Sequence, residues 1–433
     1  MVATALVAGL SCDAWAEPAA PATEVAPVAA LLADPGALVQ WIAQHHQQAA
    51  AARARVDQAR ADVRSSRLLP NPSVSFNLSD IALGTTTPPG LAYNDTAIYN
   101  VQLAETVELG KRGPRIEAAQ RRLEAERAGY LDTLVQTAAD AREVLGRVLW
   151  LRARGAVLDE TLEGAEQIMD LERSRVDHGD LSGNDFDRLT LETMAMQSDV
   201  AQNRAEFDAA LSVCRSVMFA PCELPNAAGA DVLASAVPVP QQGSVEALLA
   251  SRPDIRQLDQ SRLAAEQDAT LARRRAIPDP TLTVGYTHDQ FVISGDNANS
   301  LMVGVSLPLP MFDHGQHDAT RALAHAAELQ SIAAATLAAA HGDLASLLRR
   351  KAYLEQTLDV LEHQAIPKSK GVLDSTVTAF HRGQLSMTDL LLAQRTHTGL
   401  VLKAMDLQFE AFTVRNELRR VLGLDAGLTQ PTS

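Results

Sequence analysis

The chain has 433 residues, of which 46 % are hydrophobic and only 4 % are aromatic, and its formal net charge is −15 at pH 7. This acidic balance disfavours nucleic acid as a partner, because the phosphate backbone repels an acidic surface. No run of eighteen apolar residues follows the N-terminal segment, so the sequence predicts no membrane-spanning helix. It leaves open a membrane β-barrel, whose signal per strand is much weaker.

The N-terminal segment has the features of an export signal. An apolar stretch at 2–10 precedes Ala14-Trp-Ala16, a small-x-small cleavage site, so residues 1–16 are predicted to be a signal peptide. The absence of a basic residue after Met1 favours a start codon further upstream. Cys12 is an alternative lipidation site, although Gly9 stands where such a site prefers leucine. The Ala- and Pro-rich residues 17–35 are expected to be a disordered tail.

The remainder of the chain contains one unit twice. Arg67-Leu-Leu-Pro-Asn-Pro72 and Arg275-Ala-Ile-Pro-Asp-Pro280 each open two alternating segments, which a helical run of more than sixty residues follows. We therefore expect two similar halves, 36–218 and 245–425, joined by a proline-rich strap at 219–244. The predicted helices are 37–67, 114–177, 184–218, 245–275, 316–380 and 386–421, and the predicted strands are about 72–80, 98–107, 280–288 and 300–307.

The four strands predict a membrane sheet. Each alternates apolar residues with small polar ones, as in Val74, Phe76 and Leu78 against Ser73, Ser75 and Asn77. One face suits lipid and the other suits water. Four strands cannot close a barrel, and lipid does not tolerate an open edge. The barrel must then be shared between chains, with eight strands from a dimer or twelve from a trimer.

The helices have matching lengths. The two long runs would each extend about 96 Å at 1.5 Å per residue, and each pair of short runs, laid end to end, would reach about 100 Å. Two stacked short helices thus match one long helix, which predicts a long bundle of helical hairpins.

These features together resemble the TolC-type outer-membrane efflux channels over nearly the whole mature chain. The resemblance rests on the duplicated Pro-x-Pro entries, on Val107-Glu-Leu-Gly-Lys-Arg-Gly113, on Leu307-Pro-Leu-Pro-Met-Phe-Asp-His-Gly315 and on two Gly-x-Leu-Ser turns. The two exit motifs look most like the CzcC branch, outer components of cobalt–zinc–cadmium exporters. Thr106 departs from the family, which usually has proline there.

The resemblance implies a mainly α fold with a twelve-stranded barrel shared by a homotrimer in the outer membrane. A helical tunnel would cross the periplasm and dock to a periplasmic adaptor protein and an inner-membrane pump of the resistance-nodulation-division type. It also implies that the tip turns contact the adaptor. The turn residues concerned are Gly179, Leu181, Ser182, Gly383, Leu385 and Ser386.

Two carboxylates follow these turns. Asp389 falls on the family's constriction aspartate, and Asp185 is its counterpart in the first half. Each could line a cation-selective periplasmic gate, since a trimer would place three copies around a narrow mouth. Each could equally be a carboxylate stabilised by the N-terminal dipole of its helix, and Asp185 could hold the neighbouring helix. Leu392 replaces the usual companion of the constriction aspartate.

Other chemistry is sparse. Cys214 and Cys222 could form a disulfide in an oxidising periplasm or remain two isolated thiols. Asp313, His314, His317 and Asp318 have metal-like spacing, but a turn and a helix cap explain them better. No phosphate-binding loop, zinc-protease motif or nucleophile elbow occurs in the sequence, so we expect neither an enzyme nor a bound cofactor.

The sequence therefore predicts a passive exit duct for substrate exported by a partner pump. Divalent heavy-metal ions are the expected substrate, from the branch resemblance alone. The alternatives are a channel of the same type for drugs or for a secreted protein, and a soluble periplasmic helical scaffold.

Overall fold

The computed structural model describes residues 25–86, 89–178, 182–224, 245–290 and 297–429. The first half contains β1 (Ala26–Pro27), α1 (Val28–Ala33), α2 (Pro35–His45), α3 (Gln47–Ser66), β2 (Ser73–Ser79), α4 (Tyr93–Thr96), β3 (Ile98–Thr106), α5 (Arg112–Asp177), α6 (Gly183–Met218) and β4 (Cys222–Glu223). The second half contains α7 (Val245–Ala250), α8 (Pro253–Arg273), β5 (Thr281–Asp289), β6 (Asn299–Ser306), α9 (Gln316–Val360), α10 (Ile366–His381) and α11 (Met387–Leu422).

The sheet at one end of the molecule is antiparallel, with strand order β2-β3-β5-β6. Each strand begins and ends within about two residues of the segment predicted from alternation. The apolar face is open to the surroundings, with Phe76 63 % and Val303 72 % exposed. The opposite face is polar and internally bonded, because Asn100 Nδ2 donates to Thr287 Oγ1 at 2.7 Å. The two faces of the sheet therefore differ in chemistry.

The helical body is built on α5, a single helix of 66 residues that packs against α3, α6, α8 and α11. The largest core cluster joins this helix to α2 through residues such as Leu38, Ile42, Leu145 and Leu149. A second cluster joins α7, α9 and α11, with Leu354 and Leu418 fully buried. Helical hairpins thus extend away from the sheet, as the matching lengths predict.

The short helices are more interrupted than predicted. The run 37–67 breaks at His46, whose backbone is extended and whose side chain caps α3 by accepting from Gln48 N at 3.2 Å. The run 245–275 breaks before Pro253, because a residue that precedes proline avoids the helical conformation, and Arg252 has a non-helical ψ of 140°. The prediction that 37–67 and 245–275 are each one continuous helix is therefore wrong.

The second long helix is also interrupted. Between α9 and α10, residues Leu361–Ala365 form a π-helical turn, which we call the π turn. Pro367 explains it, because proline has no N–H to bond to the preceding turn and its ring would clash with the carbonyl of residue i−4. The prediction of an uninterrupted helix over 316–380 is thus wrong at one point, and α5 in the first half has no such turn.

The prediction of a disordered tail over 17–35 is wrong from residue 25 onward. Strand β1 pairs with β4 in parallel, and α1 buries Val28, Leu31 and Leu32 against the main core. Spacing of i, i+3 and i+4 gives this short helix an apolar face that the Ala- and Pro-rich composition conceals. The predicted signal peptide, Cys12 and most of the strap lie outside the described residues.

Among the described ranges, one helical stretch is long and apolar enough to cross a membrane, by length and composition only. It spans 316–381, and its most apolar window has a mean hydropathy of 1.3 with 11 % of that window buried. The prediction of no such helix required eighteen consecutive apolar residues, a stricter criterion. A single helix that passes the test is weak evidence for a membrane span.

Candidate functional site

The turn between α10 and α11 presents one apolar side chain at the far end of the helical body. Gly383 adopts a left-handed conformation with φ 71°, and its N–H donates to Phe380 O at 2.8 Å. Leu385 follows in the turn and is 40 % exposed. Backbone geometry therefore explains the glycine, whereas no such requirement explains the exposed leucine.

The matching turn of the first half is only partly described. Gly179 and Leu181 lie outside the described residues. Ser182 is exposed and stands before α6, where its backbone carbonyl accepts from Asp185 N at 3.0 Å and its side chain makes no capping bond. The two turns therefore differ in how the returning helix is capped.

Asp389 belongs to a capping box at the start of α11. Its Oδ2 accepts from Ser386 Oγ at 2.6 Å and from Ser386 N at 3.1 Å, while Ser386 Oγ accepts from Asp389 N at 3.3 Å. The side-chain hydrogen bond from Ser386, followed by its backbone hydrogen bond, holds the pKa of Asp389 below its usual value. This exposed carboxylate is thus ionised and fixed in orientation.

Asp389 also borders an open groove between α10 and α11. The groove has a volume of about 590 Å³, and Val372, Leu385 and Leu392 contribute apolar side chains to it. Lys368 lines the same groove. Asp389 therefore adds a negative charge to a mainly apolar surface near the tip.

Asp185 lies at the other hairpin and contacts its own helix. Its carboxylate is 3.9 Å from Arg188 Nη1, and Arg188 Nη1 also donates to Thr388 Oγ1 at 3.5 Å. Thr388 is the neighbour of Asp389 in α11. The structure thus brings both candidate carboxylates to the same end of the molecule, with Arg188 between their helices.

The two hairpin ends are held together by side chains that the sequence did not single out. Leu189, Phe380, Met387 and Leu390 form a buried cluster. The guanidinium of Arg175 lies 5.8 Å from the centre of the Phe380 ring. The same guanidinium donates to both oxygens of buried Glu172 at 3.1 Å. The i, i+3 spacing of Glu172 and Arg175 indicates a helix pair, but only the fold shows that it meets Phe380.

The exit motif that follows β3, residues 107–113, is bonded to the entry motif of the second half, residues 275–280. Lys111 Nζ is 2.6 Å from Asp279 Oδ2, and the N–H of Leu109 donates to Asp279 Oδ1 at 2.9 Å. The hydroxyl of Thr106 forms a hydrogen bond with that of Thr281 at 3.1 Å. The motif therefore has a structural role where strands pass into helices.

The metal-like cluster at the second exit is used for the turn. Asp313 Oδ1 accepts from Gly315 N at 2.9 Å, and Asp318 forms ion pairs with Arg275 and Arg321. Among the described residues, no three His, Cys, Asp or Glu side chains are close enough together to hold a metal ion.

A disulfide joins Cys214 in α6 to Cys222 in β4, with a Cα–Cα distance of 6.4 Å. Ala26 N donates to Pro221 O at 2.8 Å, and β1 pairs with β4, which contains Cys222. The disulfide therefore lies where the N-terminal segment joins the helical body.

The comparisons with known proteins decide the family. The sequence profile described as "Outer membrane efflux protein" matches residues 38–212 and 245–424. The chain belongs to the outer membrane efflux protein family. It is 24 % identical over 389 residues, 86 % of either chain, to the "Cobalt-zinc-cadmium resistance protein CzcC" of Cupriavidus metallidurans. It is 25 % identical over 286 residues to the "Nickel-cobalt-cadmium resistance protein NccC" of Alcaligenes xylosoxydans xylosoxydans, across 64 % of this chain and 61 % of the relative.

Among solved structures, the fold is similar to that of CusC, a transmembrane channel, with a TM-score of 0.75 and 18 % identity over 90 % of this chain and 91 % of the other. The expected resemblance to the CzcC-like branch and the mainly helical fold with a duplicated unit are confirmed. The protein is an outer-membrane efflux channel that extends into the periplasm. Family members are channels and not enzymes, and they form trimers that work with adaptors and inner-membrane pumps.

Proposed function

We propose that this channel is the exit duct for divalent heavy-metal cations, driven by a resistance-nodulation-division pump through a periplasmic adaptor. The observation that carries the proposal is the match across 86 % of both chains to a relative named for cobalt, zinc and cadmium resistance. The second relative is likewise named for divalent metals. Drug or protein export remains the alternative, because the fold alone is shared by channels with other cargo.

The sheet supports a duct that three chains build together. Strands β2 and β6 are the two edges of the four-stranded sheet, and in the described part of the chain each pairs with a single strand. Exposed edges are not tolerated in lipid, so β6 of one copy would pair with β2 of the next until twelve strands close. The face that carries Asn100 and Thr287 would then line the water-filled interior.

Asp389 is the proposed gate carboxylate. Three copies around a narrow mouth would concentrate negative charge and favour cations. Its lowered pKa keeps this charge across the neutral range. Asp185 is a weaker candidate because Arg188 partly neutralises it.

The gate would open by untwisting of the hairpin tips when adaptor and pump engage. The π turn lies 16 residues of α10 away from the tip, about 24 Å at 1.5 Å per residue. Such turns occur frequently at functional sites and are a common place for a helix to bend, so the π turn is the proposed hinge. The adaptor would contact the exposed Leu385 and the other turn residues, Gly179, Leu181, Ser182, Gly383 and Ser386.

The substrate is tested by replacement in the cell. The protein would be expressed in a strain whose cobalt–zinc–cadmium exporter lacks its outer-membrane component, and in a strain whose drug exporter lacks that component. We expect restored growth on Zn²⁺, Co²⁺ or Cd²⁺ in the first strain and unchanged drug sensitivity in the second. The reverse pattern would transfer the proposal to drug export.

The gate is tested with a matched pair. Asp389→Asn removes the charge, whereas Ser386→Ala removes the capping hydroxyl and leaves the charge. At neutral pH we expect only Asp389→Asn to weaken cation preference in planar-bilayer recordings. Equal selectivity in wild type and Asp389→Asn would remove Asp389 from the gate.

The adaptor contact is tested by Leu385→Asp, with Leu392→Asp in the same groove as the control. We expect only the first to abolish cross-linking to the adaptor. Intact cross-linking in Leu385→Asp would place the contact elsewhere.

A further inference from the structure

Where the helices meet the sheet, several arginines are concentrated in a chain that is acidic overall. The ends of α3 and α8 and the start of α5 contribute five of them, each fewer than ten residues from a strand of the sheet. We call them the junction arginines: Arg64, Arg67, Arg112, Arg273 and Arg274. Segments 62–70, 105–115 and 273–279 carry eight basic and four acidic side chains, so their net charge is positive, whereas the whole chain has a formal net charge of −15.

The junction arginines are exposed, and within the described ranges none of them forms an ion pair. The nearby carboxylates are already engaged by other cations, since Glu108 pairs with Arg115 and Asp279 pairs with Lys111. Asp62 and Glu105 are the exposed carboxylates of these segments, and they leave an excess of positive charge.

These arginines lie close together around the start of α5. Arg112 Nη2 donates to Arg67 O at 2.9 Å, which fixes the end of α3 beside the start of α5. Arg274 lies against Gly110, where a Cβ atom would be 3.7 Å from Arg274 Nη1. The charges therefore form one surface and not three separate ones.

Exposed apolar side chains border this surface. Leu68 and Leu69 directly follow Arg67, and Leu309 and Phe312 project at the other exit, with Phe312 91 % exposed. Apolar groups beside cations are typical of a surface at the boundary between acyl chains and headgroups.

We propose that the junction arginines bind the phosphate groups of anionic phospholipids in the periplasmic leaflet of the outer membrane. Arginine suits this ligand because its planar guanidinium donates two parallel hydrogen bonds to phosphate oxygens. The binding would fix the depth of the sheet in the bilayer, with the apolar side chains in the acyl region and the guanidinium groups at headgroup level.

The proposal is tested on the detergent-solubilised full-length protein by titration with phosphatidylglycerol, with phosphatidylcholine as the neutral lipid. The reporters are the melting temperature and the number of lipids retained in native mass spectrometry. We expect phosphatidylglycerol to raise the melting temperature, phosphatidylcholine to leave it unchanged and high salt to weaken the effect. Equal responses to the two lipids in the wild type would overturn the proposal, even if every variant failed to fold.

The variant R64Q/R67Q/R273Q/R274Q removes four of the charges and spares Arg112, which bonds to the backbone. The control R173Q/R349Q/R382Q/R395Q removes four other exposed arginines, for which no ion pair is seen in the described part of the chain. We expect the apparent affinity for phosphatidylglycerol to fall by at least about tenfold in the first variant only. An equal loss in both variants, or none in the first, would contradict the assignment. Competition by inorganic phosphate at the lipid concentration would instead indicate a site for free phosphate.

Discussion

Placing an arginine on either face of β5 tests which side of the sheet meets lipid. Val284 is the fourth of nine residues in the strand and is 49 % exposed. It lies opposite Leu103 on β3 and Val303 on β6, so its surroundings are apolar on both sides. Near the middle of a bilayer, an arginine on the lipid face costs about 2–4 kcal/mol, or about 6–12 kcal/mol over three copies. We therefore expect Val284→Arg to prevent stable assembly.

Thr283→Arg is the control one residue away. Its side chain points to the opposite face, where its partners Ala104 and Gly304 are small and leave room. Because this face would line water, we expect a cost below about 1 kcal/mol. The two variants thus carry the same charge at the same depth and differ only in the face that bears it.

The assay is refolding into lipid vesicles with a urea titration, together with the mass of the unheated assembly extracted from outer membranes. We expect Thr283→Arg to give the wild-type assembly and Val284→Arg to give little or none. Equal stability of the two variants would refute the assignment of the faces, and tolerance of Val284→Arg alone would exchange them.

Three further outcomes are expected. Asp425→Asn should lower the free energy of unfolding by about 3–5 kcal/mol in a urea titration, because buried Arg142 and Arg419 both donate to this carboxylate at 3.0 and 2.6 Å; a loss below about 1 kcal/mol would contradict this. Ser386→Ala should raise the pKa of Asp389 toward its usual value. As the pH is lowered in bilayer recordings, the variant should therefore lose cation preference at a higher pH than the wild type. An unchanged midpoint would show that the hydrogen bond from Ser386 is not what lowers this pKa. The double variant C214S/C222S should lower the free energy of unfolding by about 2–3 kcal/mol, because the disulfide no longer restricts the unfolded chain by closing a short loop. The amides of residues 26–33 should also exchange hydrogen faster than in the wild type. Unchanged exchange there would show that the disulfide does not stabilise the N-terminal segment.

Local patterns in the sequence predict much of the fold. Strand faces follow from a period of two, and the lengths of the long helices follow from the strand exits and the Gly-x-Leu-Ser turns that bound them. The ordered N-terminal segment was missed because Val28 and Leu32 are buried in a cluster that includes Leu145 and Leu149, more than a hundred residues away. The π turn could have been anticipated from Pro367, which has a direct local effect.

The candidate site also contains features that the sequence predicts and contacts that it does not. Ser386-x-x-Asp389 is a readable capping signal, and the structure shows that this bond is made. The contact of Arg188 with Thr388 joins residues two hundred positions apart, so it depends on how the two hairpins pack. Sequence spacing alone contains no information about such a contact.

The duplicated sheet also bears on how the channel is put together. Strands β3 and β5 join the two halves through nine paired residues, from Ile98 with Asp289 to Thr106 with Thr281. In the proposed ring of six hairpins, covalent linkage would turn three of the six joints into intramolecular events with a high effective concentration. A ring of six unlinked hairpins would need five encounters before its last joint closes, whereas three fused chains need two. The β3–β5 pairing within each chain would thus be the intramolecular counterpart of the proposed β6–β2 pairing between neighbouring chains.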